Sequence, residues 1–328
     1  MSKFKALLVT EDQGQFTRQV VTRQLDDLPT GEVLIRVKWS SLNYKDAMSA
    51  SGNKGITRNF PHTPGIDAAG VVEASSVSEL APGDEVIVTG YDLGMNTAGG
   101  FGQYIRVPAA WVLKRPAGLT LRESMVLGTA GLTAALCIDK LERAGLAPGN
   151  GPVLVTGATG GVGSIAVAML AQQGHEVAAV TGKADQADFL RKLGASEVLS
   201  REELQAGTNK VLLSERWAGA VDTVGGDILF NVVKSLRYDA SVACCGLTAG
   251  GQFQASVFPF ILRNVNLLGV DSVEQPLVAK ASMWDRLSVQ WKTDLSALEK
   301  EVTLEQLPEY IDTILAGGMV GRAVVNLG

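Results

Sequence analysis

The stretch Val153-Leu154-Val155-Thr156-Gly157-Ala158-Thr159-Gly160-Gly161-Val162-Gly163-Ser164 constrains this chain more than any other. A short apolar, β-branched run enters a glycine-dense turn. It leaves as an apolar helix through Ile165, Ala166, Val167, Met169 and Leu170, stopped at Gly174. Strand, turn and helix in that order suit a dinucleotide. A pyrophosphate sits well at a helix N-terminus, where unpaired N–H donors and the positive dipole end favour an anion. Gly160, Gly161 and Gly163 therefore read as sites of close backbone approach. The spacing Gly157-x-x-Gly160-x-x-Gly163 is a variant of G-x-G-x-x-G, and a purely structural turn would use the same glycines.

The rest of the chain divides around that stretch. Residues 1–124 hold short β-like runs, among them Lys5–Val9, Glu32–Trp39, Ala68–Glu73, Glu85–Thr89 and Gly102–Val107, separated by turn-forming residues. They predict a small β-barrel or rolled sheet. From residue 125 strands and helices alternate. A helix capped by Thr129 runs to Arg143, and strands are expected at Val153–Val155, Val177–Thr181, Glu197–Leu199, Ala220–Thr223, Ser241–Cys245 and Asn266–Val270. Helices at Ala184–Leu193 and Asp227–Arg237 fall between them. Six strands so connected make an α/β, doubly wound parallel sheet. Residues 125–273 form that domain. Residues 274–328, with helices near Pro276–Lys292 and Leu307–Ala316, return to the first, because a lone strand at Ala323–Asn326 needs a sheet to join.

Composition narrows the function. A length of 328 residues suits about two domains. The net charge of −5 argues against nucleic acid or an anionic membrane as partner. No run of about 20 uninterrupted apolar residues is present, and the apolar run near the N-terminus is too short for a signal peptide. Cys137, Cys244 and Cys245 have no metal-binding spacing and form no even disulfide set; Cys244 and Cys245, inside an apolar run, read as buried thiols of a reducing cytosol, so a cytoplasmic location is expected.

The end of the second strand selects the nucleotide. An NAD-preferring fold places an acidic residue there; this chain has Thr181-Gly182-Lys183. A hydroxyl, a bare backbone N–H and a cation suit a 2′-phosphate, and Arg201 past the third strand adds a second cation. This points to NADPH, although Asp185 is nearby and solvated surface charge is the ordinary fate of such residues.

These segments together resemble the medium-chain dehydrogenase/reductase superfamily, in its zinc-independent quinone-oxidoreductase-like division, and more narrowly the NADPH-dependent acrylyl-CoA reductases. The pieces that carry the resemblance are Trp39-Ser40-Ser41-Leu42-Asn43-Tyr44-Lys45-Asp46-Ala47, Pro64-Gly65-Ile66-Asp67, Gly128-Thr129-Ala130-Gly131, the glycine turn, Trp217 to Gly225, Pro259 to Val265 and Gly269-Val270-Asp271-Ser272. The resemblance implies a GroES-like β-barrel catalytic domain, a Rossmann domain and a homodimer. It places Tyr44 by the nicotinamide, and Thr159, Gly160, Gly161 and Val162 on the pyrophosphate. Thr181, Gly182, Lys183 and Arg201 fall at the 2′-phosphate, and Leu247, Ile261 and Ser272 along the cofactor channel. Lys183 stands where the family leads one to expect arginine, and loses the planar fork. Zinc members use a cysteine in the first region and a Gly-His-Glu. Here stand Ser40, Ser41 and Gly65-Ile66-Asp67, and isoleucine ligates no metal.

The implied activity is hydride transfer to the C=C bond of an unsaturated carbonyl or thioester, with acrylyl-CoA favoured. Charge that collects on the carbonyl oxygen then needs donors, and the α-carbon a proton. Tyr44 leads as donor, with Asn43 beside it, and burial could make Asp67 an acid. The plainer readings keep Tyr44 as a pocket wall, Asn43 and Asp46 as turn residues, Asp67 as the partner of an arginine such as Arg322, and water as proton donor. Lys54, Arg58 and Arg106 are available for CoA phosphates. A quinone reductase, a non-catalytic NADPH-binding sensor or structural protein, and a zinc alcohol dehydrogenase remain as alternatives.

Overall fold

The computed structural model describes residues 3–328. Its first part contains strands β1 (Lys3–Asp12), β2 (Gln15–Gln24) and β3 (Val33–Ser41), helix α1 (Tyr44–Ala50), then β4 (Asp67–Ser75), β5 (Glu85–Thr89), β6 (Tyr104–Val107), β7 (Val112–Lys114) and helix α2 (Leu121–Arg143). The middle follows with β8 (Val153–Val155), α3 (Gly161–Gln172), β9 (Val177–Thr181), α4 (Ala187–Lys192), β10 (Glu197–Ser200) and α5 (Arg201–Gln205). Next come β11 (Trp217–Asp222), α6 (Gly226–Ser235), β12 (Leu236–Cys244), α7 (Phe258–Arg263) and β13 (Asn266–Gly269). The chain closes with α8 (Leu277–Ser288), β14 (Glu299–Thr303), α9 (Leu307–Leu315) and β15 (Arg322–Asn326). Contacts divide it into two units. One takes the residues up to Thr129 with Val273–Gln290 and Ser296–Gly328; the other takes Ala130–Ser272 and Trp291–Leu295.

The first unit is built on a seven-stranded sheet ordered β14-β15-β3-β4-β5-β7, with β6 also on β3, and on the separate β1–β2 hairpin. On β3 the buried Val33, Ile35 and Val37 alternate with Leu34 and Arg36, as a strand with one face on a core requires. They join Leu7, Val86, Val88, Val107 and Val325 in one cluster. β15 lies antiparallel on β3, with Val324 opposite Ser41 and Val325 opposite Ser40. That pairing carries Arg322 to the strand that ends in Ser41.

The second unit is a six-stranded sheet ordered β10-β9-β8-β11-β12-β13, with every pairing parallel. Numbered within the unit this is 3-2-1-4-5-6, the doubly wound dinucleotide-binding order. The central strands β8 and β9 are buried at every residue, which explains their unbroken apolar sequence. The order reverses between β8 and β11, so their C-terminal ends flank the crevice where such sheets bind ligands.

Several elements differ from the sequence expectation. Strands β2, β7 and β14 were not foreseen. β2 alternates exposed and half-buried residues in QFTRQVVTRQ, and β14 buries only Val302, so neither has an apolar face to find. The helix expected to start at a Thr129 cap begins instead at Leu121 and breaks at Gly128, whose φ of 52° and ψ of −153° are not helical. Thr129 spends its hydroxyl elsewhere, as described below. By length and composition α2 could cross a membrane, but 89% of its most apolar window is buried inside the protein, as in a core helix. β12 starts at Leu236, five residues before the expected strand.

Candidate functional site

The nucleotide side begins where β8 ends. The chain turns through Gly157, at φ +59°, where a Cβ would lie 2.3 Å from the Thr223 hydroxyl oxygen. Only glycine fits there. Gly160 is the N-cap of α3, and its N–H donates to the Gly157 carbonyl at 2.9 Å. The first amides of α3 have no carbonyl one turn behind them, which leaves Gly161, Val162 and Gly163 as anion donors. The glycines do different jobs, which corrects the uniform expectation. A Cβ on Gly163 would lie 2.3 Å from the Gly157 carbonyl oxygen, so this glycine lets helix and turn close on each other. At Gly160 the only near atom is that same oxygen, at 3.3 Å, and the position is open to an approaching group.

Two threonines and two cations complete this side. Thr159 and Thr181 bring their hydroxyls within 3.3 Å, and the Lys183 N–H donates to the Thr181 hydroxyl at 3.0 Å. A Cβ on Gly182 would stand 2.8 Å from an Arg201 guanidinium nitrogen. Arg201 therefore lies across Gly182. Partial burial lowers the Lys183 pKa, Asp185 raises it in part, and the charge of Arg201 lowers it again. Two cations at this turn fit a 2′-phosphate; β9 itself ends in a threonine, and the carboxylate near Lys183 is Asp185, four residues past that end.

Across the switch point Asp222 holds the exit of β11. It is fully buried and accepts from the Thr156 hydroxyl at 2.9 Å, from Gly225 N–H at 2.7 Å and from Val224 N–H at 3.3 Å. Burial raises its pKa. The sequence offered no signal for this pair, 66 residues apart. Of the remaining expected channel residues, Ser272 is buried and accepts from the Thr133 hydroxyl at 2.7 Å. Leu247 lies on the loop leaving β12 and Ile261 on α7; both are well exposed, at 57% and 69%.

In the first unit the expected donors form a buried polar cluster. Asn43 is the N-cap of α1 and Asp46 its third residue, a reciprocal capping box legible in Asn-x-x-Asp. Asp46 accepts from Asn43 N–H at 2.8 Å and, through its other oxygen, from Ile66 N–H at 2.8 Å. The Asn43 amide donates to Asp67 at 2.8 Å and to Asp46 at 3.2 Å, and its oxygen accepts from Arg322 at 3.0 Å. Asp67 has no exposed surface. It accepts from the Ser41 hydroxyl at 2.6 Å, the Thr129 hydroxyl at 2.6 Å and the Thr129 N–H at 2.9 and 3.0 Å. Arg322 stands 3.9 Å from Asp67 and donates to the Ser41 hydroxyl and to the Val126 and Leu42 carbonyls. Burial lowers the Arg322 pKa, while Asp67 and Asp46 raise it.

That geometry turns Asn43 and Asp67 inward. Both were expected at the chemistry, yet each spends its hydrogen-bonding capacity on the cluster. Tyr44 differs. It is half-buried at the first position of α1, and its hydroxyl makes no hydrogen bond within the described residues. Ser41 and Thr129 were missed as site residues, because their partner lies 26 and 62 residues away and no local pattern marks it. Of the cations considered for CoA, Lys54 is paired with Glu11 and Arg106 donates to the Leu28 and Pro29 carbonyls; Arg58 is exposed.

A zinc ion does not fit the first unit. Ser40 donates its hydroxyl to the Asp67 carbonyl, Ser41 is held by Asp67 and Arg322, and Ile66 offers no donor atom. Among the described residues no three His, Cys, Asp or Glu side chains are grouped to hold a metal.

Comparison with known proteins places the whole chain. Residues 29–117 match the alcohol dehydrogenase GroES-like domain, and residues 161–288 match the zinc-binding dehydrogenase domain. The putative quinone oxidoreductase YhfP of Bacillus subtilis (strain 168) is 47% identical over 326 residues, 99% of each chain. Acrylyl-CoA reductase AcuI of Ruegeria pomeroyi is 46% identical over 327 residues, again 99% of each. The crystal structure of the yhdH oxidoreductase from Salmonella enterica in complex with NADP superposes with a TM-score of 0.96 at 42% identity, covering 99% of this chain and 100% of that one. YhfP of Bacillus subtilis with NAD bound gives 0.97 at 46% identity and complete coverage of both. The chain belongs to the medium-chain dehydrogenase/reductase superfamily, with a GroES-like domain and a Rossmann domain.

Proposed function

We propose that this protein is an NADPH-dependent, metal-free reductase of the C=C bond of an α,β-unsaturated carbonyl or thioester, with acrylyl-CoA as the favoured substrate. The observation that carries the cofactor assignment is Arg201 lying across bare Gly182 beside Lys183. The substrate assignment rests on the relatives named acrylyl-CoA reductase, at 46% and 42% identity over nearly full length.

The chain's residues divide the work. Gly160, Gly161, Val162 and Gly163 hold the pyrophosphate with main-chain amides, helped by Thr159. Thr181, Gly182, Lys183 and Arg201 take the 2′-phosphate, and Leu247, Ile261 and Ser272 border the rest of the cofactor. When bound, NADPH supplies a hydride to the β-carbon of the substrate. Tyr44 then donates its hydroxyl proton in a hydrogen bond to the carbonyl oxygen where charge collects. Asn43 and Asp67 do not touch that oxygen; they fix the turn from which Tyr44 projects. Water protonates the α-carbon.

A substrate panel tests this. Stopped-flow loss of NADPH absorbance should be faster with acrylyl-CoA than with crotonyl-CoA or benzoquinones. The name of the YhfP relative supports a quinone reductase as the second reading, and turnover of quinones alone would select it. NADPH binding without turnover of any electrophile would leave a sensor or structural protein. In the same assay Lys183→Ala and Arg201→Ala should each raise the KM for NADPH about 10- to 100-fold, since each removes a charge-assisted bond. The KM for NADH should stay put, and a parallel rise in both would discard the 2′-phosphate assignment.

The protein also acts as a homodimer in this reading. Val257, Phe258 and Leu262 expose apolar side chains on and beside α7. β13 is an edge strand free to pair across a two-fold axis. Sedimentation should give twice the 34.5 kDa chain mass; a monomer mass at micromolar concentration would refute it.

A further inference from the structure

Two buried carboxylates and one guanidinium share the cluster in the first unit, and only one carboxylate has an obvious task. Asp67 collects Ser41, Asn43 and Thr129 around itself and lies 3.9 Å from Arg322. Asp46 stands on the other side of Asn43, 1% exposed, and joins the first turn of α1 to Ile66. Every group in contact with its oxygens is a donor: Asn43 N–H, the Asn43 amide and Ile66 N–H. A proton on Asp46 therefore has no acceptor among these neighbours. To receive it, the Asn43 amide would have to turn over. Its NH2 group would then face the Arg322 guanidinium that now donates to its oxygen. Donor against donor is repulsive, so the charged form of Asp46 is the one matched to the present arrangement.

We propose that Asp46 is a positioning residue for the reductase reaction: its carboxylate clamps the Asn43–Tyr44 turn to the Ile66–Asp67 segment, and protonation of the clamp releases Tyr44. This rests on the reading of Tyr44 as the donor to the substrate oxygen. Burial and the Asp67 charge push Asp46 up to about 7, against the bonds from Asn43 and Ile66. The clamp thus opens and closes near neutrality. The charged groups facing Asp46 from other elements are Asp67 on β4 and Arg322 on β15. Helix α9, also packed on α1, brings Glu309, Tyr310 and Asp312, of which Asp312 is paired with Arg18 at 2.7 Å. On α1 itself Tyr44 and Lys45 are the other ionisable groups.

Stability and activity should then move in opposite directions. A carboxylate whose pKa is raised on folding stabilises the fold below its unfolded pKa, near 4, and that contribution is lost as pH rises through about 7. Burial and the Asp67 charge favour the acid form, whereas the bonds from Asn43 and Ile66 that set the turn favour the carboxylate on which the reaction depends.

The test uses the full chain with 13C-labelled tyrosine and no cofactor, the Tyr44 resonance being assigned with Tyr44→Phe. Between pH 5.5 and 8.5 it should shift with a midpoint near 7, and in Asp46→Asn it should stay flat. In parallel, kcat with acrylyl-CoA should fall through the same midpoint on acidification. Asp46→Asn should lower kcat at least 10-fold and remove that limb, leaving the Kd for NADPH within 2-fold. A Tyr44 resonance that is flat in the parent chain overturns the proposal whatever the activity. A Tyr44 resonance that moves with pH, without turnover of any enone, leaves the clamp standing and removes the reductase reading instead.

Discussion

Replacing Tyr44 with phenylalanine should lower kcat about 100-fold while leaving NADPH binding unchanged, the loss found when one donor to a developing oxyanion is removed. The ring is retained, so any wall it provides persists; only the hydroxyl goes. Two features of the cluster single it out. The neighbouring Asn43 amide is committed to Asp46 and Asp67, and Asp67 to four donors, whereas the Tyr44 hydroxyl has no partner within the described residues. A donor aimed at a transition state must be free of the protein in the ground state. Equal losses in kcat and kcat/KM would mark an interaction made only in the transition state. Unchanged kcat would reduce Tyr44 to a wall and hand the oxygen to main-chain donors.

Asp67→Ala should cost about 3–5 kcal/mol of folding stability, the range for breaking a buried ion pair by removing one partner. The substitution strands the Ser41 and Thr129 hydroxyls, the Thr129 N–H and one Asn43 N–H, and leaves the buried Arg322 charge hydrogen-bonded but without its neighbouring carboxylate. Arg322 is 2% exposed and cannot reach water to compensate. Urea unfolding followed by tryptophan fluorescence measures the loss. A change below about 1 kcal/mol would mean that the cluster relaxes around the gap or admits water, and that its geometry does not depend on Asp67. Asp67→Asn should fall between, since it keeps the shape but turns one acceptor into a donor among donors.

What the sequence made legible follows from how local each cause is. The central strands of the Rossmann unit announce themselves, because a strand buried on both faces is an uninterrupted apolar run, as in Val153–Val155 and Val177–Thr181. The glycine turn is equally plain, yet the reason for Gly163 is not. Its neighbour is the Gly157 carbonyl, a contact that exists only once the turn has closed. β14 and β2 were invisible because polar residues interrupt their inward positions, so no continuous apolar face marks them. The Asn43–Asp46 box could be read from its spacing. The tasks of Asn43 and Asp67 could not, because they depend on Thr129 and Arg322, brought in from distant positions by the break at Gly128 and the β15–β3 pairing.

That last pairing also orders events during synthesis. Asp46 and Asp67 leave the ribosome early, and a complete nucleotide-binding unit is made before Arg322 emerges. Until then the nascent GroES-like lobe has two acids to bury and lacks the guanidinium that stands beside Asp67 and holds the Asn43 oxygen. A chain halted short of Gly321 should retain a folded Rossmann unit while its other lobe is open to proteases.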